Sequence, residues 1–287
     1  MRTGPFDLFS SASSPASART VEAWCLALIE TREWKDKLTP PPPPDLRRDA
    51  SWEVAPPPRP TIRPGRPAEL RVVGRSPKTP RAGALERREV RAGLVHTFLH
   101  HELQAAELFA WAVLAFPATP RAFRAGLVGL CRSELEHLAL YVAHLERLGH
   151  AVGDFPVRDW FWERVGHCPD AASFVALLGL GLEGANLEHT TRFGAWFRAA
   201  GDEDGARILE QVAEEEVAHV AFASRWFERL TGEPLDYDRW RALLPAPLTP
   251  ALLRGTPLNR AARRRAGLDE RFLERLEAEP PASGGAR

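Results

Sequence analysis

Apolar residues recur at three- and four-residue intervals through four long stretches of this chain, and each stretch predicts an amphipathic helix. The first runs from about Gly83 to Phe116 and stops before Pro117. The second opens at Thr119-Pro120, a cap residue followed by proline at the first helical position, and ends near Gly149. The third runs from about Asp170 to Ala200, before Gly201, and carries Gly179, Gly181 and Gly184 inside it, which lower its helix propensity. The fourth runs from near Asp202 to near Thr231, before Gly232. At a rise of 1.5 Å per residue, helices of about 30 residues reach roughly 45 Å. Between the second and third, residues 150–169 hold Gly153, Pro156 and Pro169 around Trp160-Phe161-Trp162. That segment is long enough to pass from one end of a bundle to the other. The prediction is an all-α fold: a four-helix bundle over residues 85–232, built of two hairpins and one long crossover.

The flanks read differently. Ser10–Ser17 is small and polar. Thr20–Leu38 predicts one amphipathic helix through Val21, Trp24, Cys25, Leu28 and Ile29, with Thr20 as its cap. Pro40–Pro44 ends that helix, and the Pro- and Arg-rich chain to about Pro80 predicts an extended arm. Residues 1–84 are therefore expected to be a helix plus an arm that lies on the bundle. After Gly232, residues 233–287 predict a C-terminal extension with short helices at Asp238–Leu244 and Asp269–Ala278, and a frayed end at Pro280–Arg287.

Composition narrows the partners. Apolar residues are 44% of the 287, enough for a substantial core, and the formal net charge is zero, so no global field points to nucleic acid or a membrane surface. Arg263–Arg265 is a short basic run, and it reads as a solvated helix face rather than a nucleic-acid contact. The three cysteines, Cys25, Cys131 and Cys168, are far apart and odd in number, which suggests neither a disulfide framework nor a Cys-based zinc site. A reducing cytoplasm is expected. There is no secretory h-region near Arg2, and the longest mostly apolar run, Ala171–Leu182, is too short to span a bilayer.

Chemistry enters through two Glu-x-x-His steps, Glu134-Leu-Glu-His137 and Glu216-Val-Ala-His219, 82 residues apart. Residues three apart share a helix face, so each step aims a carboxylate and an imidazole at one point. Random placement of this chain's Glu and His residues gives about one such step, so the steps alone are weak. Their weight comes from repetition and context. Glu102 lies 32 residues before Glu134 and Glu183 lies 33 before Glu216, and all four acids interrupt core-facing stripes. The stripe of Glu102 carries Phe98, Leu99, Ala105 and Phe109; that of Glu134 carries Leu127, Leu130, Leu138 and Tyr141. Four buried carboxylates repel unless positive charge sits among them, and two divalent metals supply it. One Glu from each of two helices plus Glu-x-x-His from each of two others is the inward ligand set of ferritin-like di-iron and di-manganese bundles. The expected ligands are Glu102, Glu134, His137, Glu183, Glu216 and His219.

The offset of 81–82 residues between matching groups suggests a duplicated helical hairpin. Glu107 and Glu188, each five residues beyond its partner and about 140° around the helix, are read as neighbours of the ligands or as surface acids. Tyr141 reads first as a core tyrosine and second as a group at the site. His144 is expected at the bundle end, and His96 with His100 as a structural or solvated pair.

These residues resemble a known group. His101-Glu-Leu-Gln-Ala-Ala-Glu107, the two steps, Gly153-Asp-Phe-Pro156, Glu183 and Pro257-Leu-Asn-Arg260 through Gly267 look like the ferritin-like family called domain of unknown function 455. The resemblance covers roughly residues 60–275 and leaves the first 55 outside. After the Glu of the third helix that family is usually more polar, often ending in Asp, where this chain has Gly184-Ala-Asn-Leu-Glu188. A more distant likeness is to the tRNA-hydroxylating di-iron enzymes. The resemblance implies a ferritin-like fold and a metal site, and no substrate.

Four carboxylates and two imidazoles suit two Fe, or Fe and Mn, better than Zn or Cu(I). The leading expectation is a non-haem di-iron oxidase or oxygenase using dioxygen on an unknown small organic molecule. An electron donor and a homodimer are compatible with this. The alternatives are a ferroxidase or peroxide-handling protein, and a non-catalytic helical scaffold with a structural metal site.

Overall fold

A computed structural model describes residues 18–53, 63–75 and 78–280. Ser10–Ser17 and the residues after Pro280 lie outside these. The described residues are all-helical apart from one isolated parallel bridge, Val72 with Val157. The helices are α1 Val21–Glu30, α2 Trp34–Leu38, α3 Arg88–Ala115, α4 Arg121–Arg147, α5 Trp162–Val165, α6 Ala171–Phe174, α7 Gly184–Ala199, α8 Glu203–Thr231, α9 Tyr237–Ala242, α10 Arg260–Arg265 and α11 Glu270–Glu277. A π-helical stretch, Val175–Glu183, joins α6 to α7 into one long element.

Four long elements pack as two hairpins. α3 lies along α4, α7 and the π-helical stretch lie along α8, and α4 meets α8 between the pairs. Their buried sides form one continuous apolar core that also takes in α1 and the C-terminal helices. Local chemistry fixes several ends. Asp202 caps α8 by accepting from the Gly205 amide at 2.9 Å, and Gly232 closes it in the left-handed conformation at φ 72°. His144 sits at that end of the bundle, buried against Asp202 at 3.2 Å. The second helix differs from expectation at its start: Pro120 is itself the flanking residue and Arg121 the first helical one.

The glycines of the third long element have a packing reason. A Cβ on Gly179 would lie 2.5 Å from the Cβ of Ala223 on α8, and one on Gly181 would lie 3.0 Å from Leu253. The element thus accepts wide π-type turns and small residues in order to sit close against α8. π-helical turns inside α-helices often accompany functional sites, and this one ends on Glu183.

The N-terminal region corrects the single predicted helix. Thr20 does cap it, accepting from the Ala23 amide at 3.1 Å. The helix then breaks at Thr31–Glu33 into α1 and α2, because other groups take the carbonyls it would need. Lys37 Nζ donates to the carbonyls of Leu28 at 2.7 Å and Ile29 at 2.8 Å, and the Gly65 amide also donates to Ile29 at 2.8 Å. Only glycine fits at 65, since a Cβ there would lie 2.1 Å from the Glu30 carbonyl oxygen. The described parts of the arm lie on the long helices: Arg66 reaches Glu107 and Asp159, and the Arg124 guanidinium stacks over Trp52 at 4.7 Å. No helix among the described residues is long and apolar enough to cross a membrane.

Candidate metal centre

α3 contributes Glu102, α4 contributes Glu134 and His137, the end of the π-helical stretch contributes Glu183, and α8 contributes Glu216 and His219. All six predicted residues are buried and meet in two overlapping groups. Glu102, Glu134, His137 and Glu216 make one; Glu134, Glu183, Glu216 and His219 make the other. Within each group the ligand atoms lie within 4.8 Å of one another. Glu134 and Glu216 belong to both, so they occupy the seam between two pockets of donors. The imidazole rings stand 5.6 Å apart, nearly parallel at 27°.

The donors point at common spaces rather than at each other. His219 Nδ1 is 2.8 Å from Glu134 Oε1 and 3.1 Å from Glu216 Oε2, and His137 Nδ1 is 3.4 Å from Glu134 Oε2, all within ion-pair range. None of these contacts has the direction of a hydrogen bond: both Nδ1 atoms, both oxygens of Glu134, Oε1 of Glu183 and Oε2 of Glu216 are buried without a hydrogen-bond partner. Among the described residues, every buried carboxylate oxygen left so belongs to this cluster. A buried unpaired polar atom costs on the order of 1–3 kcal/mol, more when charged, and a cation held among these atoms would offset that cost.

The far side of each imidazole is held. His137 Nε2 lies 2.9 Å from Glu215, and His219 Nε2 lies 2.9 Å from the Ser133 hydroxyl. Each ring can therefore carry its proton on Nε2 and turn a bare Nδ1 to the cluster, the usual arrangement of a metal-binding histidine. Asn186 donates to Glu216 Oε1 at 2.9 Å. Sequence reasoning missed all three supports. A signal for two of them existed: Ser133 and Glu215 each stand one residue before the Glu of a Glu-x-x-His step, and each holds the histidine of the other step.

Electrostatics divides the acids. Burial pushes Glu183 well above the usual carboxylate range, and Glu216, Glu134 and Glu102 push it further. Glu102 is likewise raised, chiefly by burial. Burial also opposes the charged forms of Glu134 and the imidazoles, but mutual attraction overcomes it. Glu134 is held low by His219 and His137; His137 is held far above its ordinary value by Glu102 and Glu134; His219 is raised to about 10 by Glu134 and Glu216. The cluster thus neutralises itself with protons, which a bound metal would have to displace.

Glu107 and Glu188 are neither neighbours of the ligands nor surface acids. Both are buried in ion pairs of their own. Glu107 accepts from Lys37 at 2.6 Å, Arg66 at 2.7 Å and the Trp162 indole at 2.8 Å. Glu188 accepts two hydrogen bonds from Arg263, each 2.8 Å, and two more from the amides of Gly255 and Asn259. Arg263 is consequently fully buried, which corrects the reading of Arg263–Arg265 as a solvated face; only Arg264 and Arg265 are exposed. His100 pairs with Asp159 at 3.0 Å and His96 accepts from the Gly153 amide at 2.8 Å, so both serve the crossover rather than a metal.

A cavity of about 310 Å³ opens beside the cluster. Glu102 and Glu183 line it, and so does Tyr141, whose hydroxyl has no hydrogen-bond partner among the described residues. Glu134, Glu216 and both cluster histidines do not. The cluster is therefore approached from its Glu102/Glu183 side.

Residues 22–274 match the family described as "Protein of unknown function (DUF455)", and the chain belongs to it. The match starts well before residue 60 and takes in almost all of α1, so the N-terminal helix is part of the family's shared region. No curated protein and no solved structure matches the chain.

Proposed function

We propose that this chain is a ferritin-like di-metal carboxylate protein that holds two iron ions, or iron and manganese, and acts as an oxidase or oxygenase on an organic substrate. The carrying observation is the pair of overlapping donor groups whose buried oxygens and Nδ1 atoms lack hydrogen bonds. The two hairpins with one long crossover agree with a ferritin-like bundle. The donor set fits: hard carboxylates with imidazoles suit Fe and Mn. Glu102, Glu134 and His137 would hold one ion, Glu183, Glu216 and His219 the other, with Glu134 and Glu216 shared between them. Bound there, two redox-active metals supply oxidising power in the presence of dioxygen.

The chain's own residues do the rest. Glu215 and Ser133 fix the tautomer and orientation of the imidazoles, and Asn186 fixes one oxygen of Glu216. Tyr141, pushed up by burial and by the nearby carboxylates, keeps its phenolic proton beside Glu102. The largely apolar cavity favours an organic substrate over iron itself, because ferroxidase chemistry has no use for aromatic walls. The test is oxygen consumption by protein loaded anaerobically with ferrous iron. Uptake coupled to loss of an added organic compound is expected. Stoichiometric oxidation of ferrous iron with no organic requirement would replace this reading with the ferroxidase one, and failure to take up iron would overturn both.

A further inference from the structure

The cavity beside the cluster has a composition that specifies a ligand class, a step that rests on the reading of the cluster as a metal centre. Its walls are aromatic. Phe98 packs against Tyr141 at 5.6 Å and Phe193 at 5.1 Å between ring centres, joining α3, α4 and α7 in one group. A second group comes from the crossover and α3, where His101 stacks on Phe161 at 4.8 Å and 19°, with Trp160 beside Phe161. Rings that meet such walls gain by offset or edge-on stacking beyond the area they bury.

Its charges are already used. Glu102 and Glu183 belong to the donor set, and Arg158 is paired with Glu163 at 2.6 Å. No remaining fixed charge among the described lining residues answers a charged ligand. Two of its hydroxyls are also spent: Thr97 donates to the Gly93 carbonyl at 3.0 Å and Thr190 to that of Asn186 at 2.6 Å. Besides the Tyr141 hydroxyl at the Glu102 end, the imidazoles of His101 and His189 remain for a ligand. Both are half-buried, both line the cavity, and neither makes a hydrogen bond to a described residue. His101 stands one residue before Glu102 and His189 one after Glu188. A cavity of about 150 Å³ takes benzene, so 310 Å³ has room for one or two rings.

We infer that this cavity binds an uncharged aromatic molecule of one or two rings, carries its polar substituent on His101 or His189, and presents it to the Glu102/Glu183 side of the cluster. The probe is 2-naphthol, titrated into the metal-free full chain and followed by its own fluorescence. Saturable one-to-one binding is expected. 2-Naphthoate tests charge and decahydro-2-naphthol tests aromaticity, and both should bind at least about tenfold more weakly. Ala105→Phe, which fills the cavity, should abolish binding. His101→Leu or His189→Leu should weaken 2-naphthol several-fold while leaving naphthalene unchanged, and thermal melting of each variant checks that it folds. Phe193→Ala serves as the second wall variant if Ala105→Phe does not fold. No saturable binding, equal binding of 2-naphthoate, or indifference to both His101→Leu and His189→Leu or to the wall variants would overturn the inference. The same titration on Glu134→Ala/His219→Ala separates the two readings. 2-Naphthol bound by a wild-type chain that takes up no metal would sink the metal centre and keep the cavity. Metal bound without 2-naphthol would do the reverse.

Discussion

Glu102 and Glu107 lie five residues apart on one helix, and Glu183 and Glu188 repeat the spacing in the other hairpin. All four are buried, yet their surroundings are opposite. The outer acids, Glu107 and Glu188, each meet cations of the chain itself: Lys37 and Arg66 from the N-terminal arm, Arg263 from the C-terminal extension. Burial pushes Glu107 up, but those cations outweigh it and hold the carboxyl below its ordinary range. The inner acids, Glu102 and Glu183, have no Lys or Arg partner among the described residues, and burial raises both. The fold demonstrates that it can bring a cation to a buried acid when the acid is structural. At the cluster it brings only two histidines to four carboxylates, a balance that the proposed metal ions would complete.

The largest expected effect breaks an outer pair. Arg263→Leu leaves Glu188 buried with only two backbone amides, and the loss should be about 3–5 kcal/mol by chemical denaturation. If that variant proves neutral, the outer acids are not held as described and the contrast collapses. Gly179→Ala should come next. Its new methyl would meet Ala223 at 2.5 Å and force the third long element off α8, at about 1–3 kcal/mol. Metal stoichiometry should drop in the same variant, because Glu183 rides on that stretch.

The arm's second anchor gives a pH signature. Burial works against the Asp159 carboxylate, but His100 and Arg66 hold it down to about 2 from 3.8. A lowered carboxyl contributes stability above its unfolded value, near pH 4, that is lost as pH falls through about 2. Asp159→Asn should therefore cost up to about 2 kcal/mol at neutral pH. It should also flatten the acid limb of the stability profile between pH 4 and 2. An unchanged acid limb would mean that Arg66 does not secure the arm through Asp159. The smallest expected effect has the opposite sign. Glu183→Gln removes a carboxyl that burial and three other acids disfavour, so the metal-free protein should gain about 1 kcal/mol. A loss as large as that of Arg263→Leu would show that Glu183 has a cation partner of its own.

Much of this was legible in the residues. The four long helices followed from apolar periodicity, and the six cluster residues from carboxylates and imidazoles that break otherwise apolar stripes at a repeated spacing. What was not legible was long-range charge pairing. Glu107 looked mixed because its helix face carries His100, Gln104 and Trp111. Its partners lie 41 and 70 residues earlier in the sequence, where no periodicity connects them. Arg263 read as solvated because it stands in a run with Arg264 and Arg265, and only the turn of α10 separates the buried one from its exposed neighbours. The break between α1 and α2 was equally hidden, since it depends on Lys37 and Gly65 competing for α1 carbonyls. The glycines of the third element were visible, but their use in a π-helical approach to α8 required the facing Ala223.

The central claim is that the inner carboxylates wait for metal and the outer ones do not. Elemental analysis tests it most directly, on protein purified without chelator and on the Glu134→Ala/His219→Ala variant beside it. The account predicts about two iron or manganese ions per chain, lost from the variant while its helical content stays intact. A well-folded wild-type chain that holds no metal, even after anaerobic loading with ferrous iron, would contradict it.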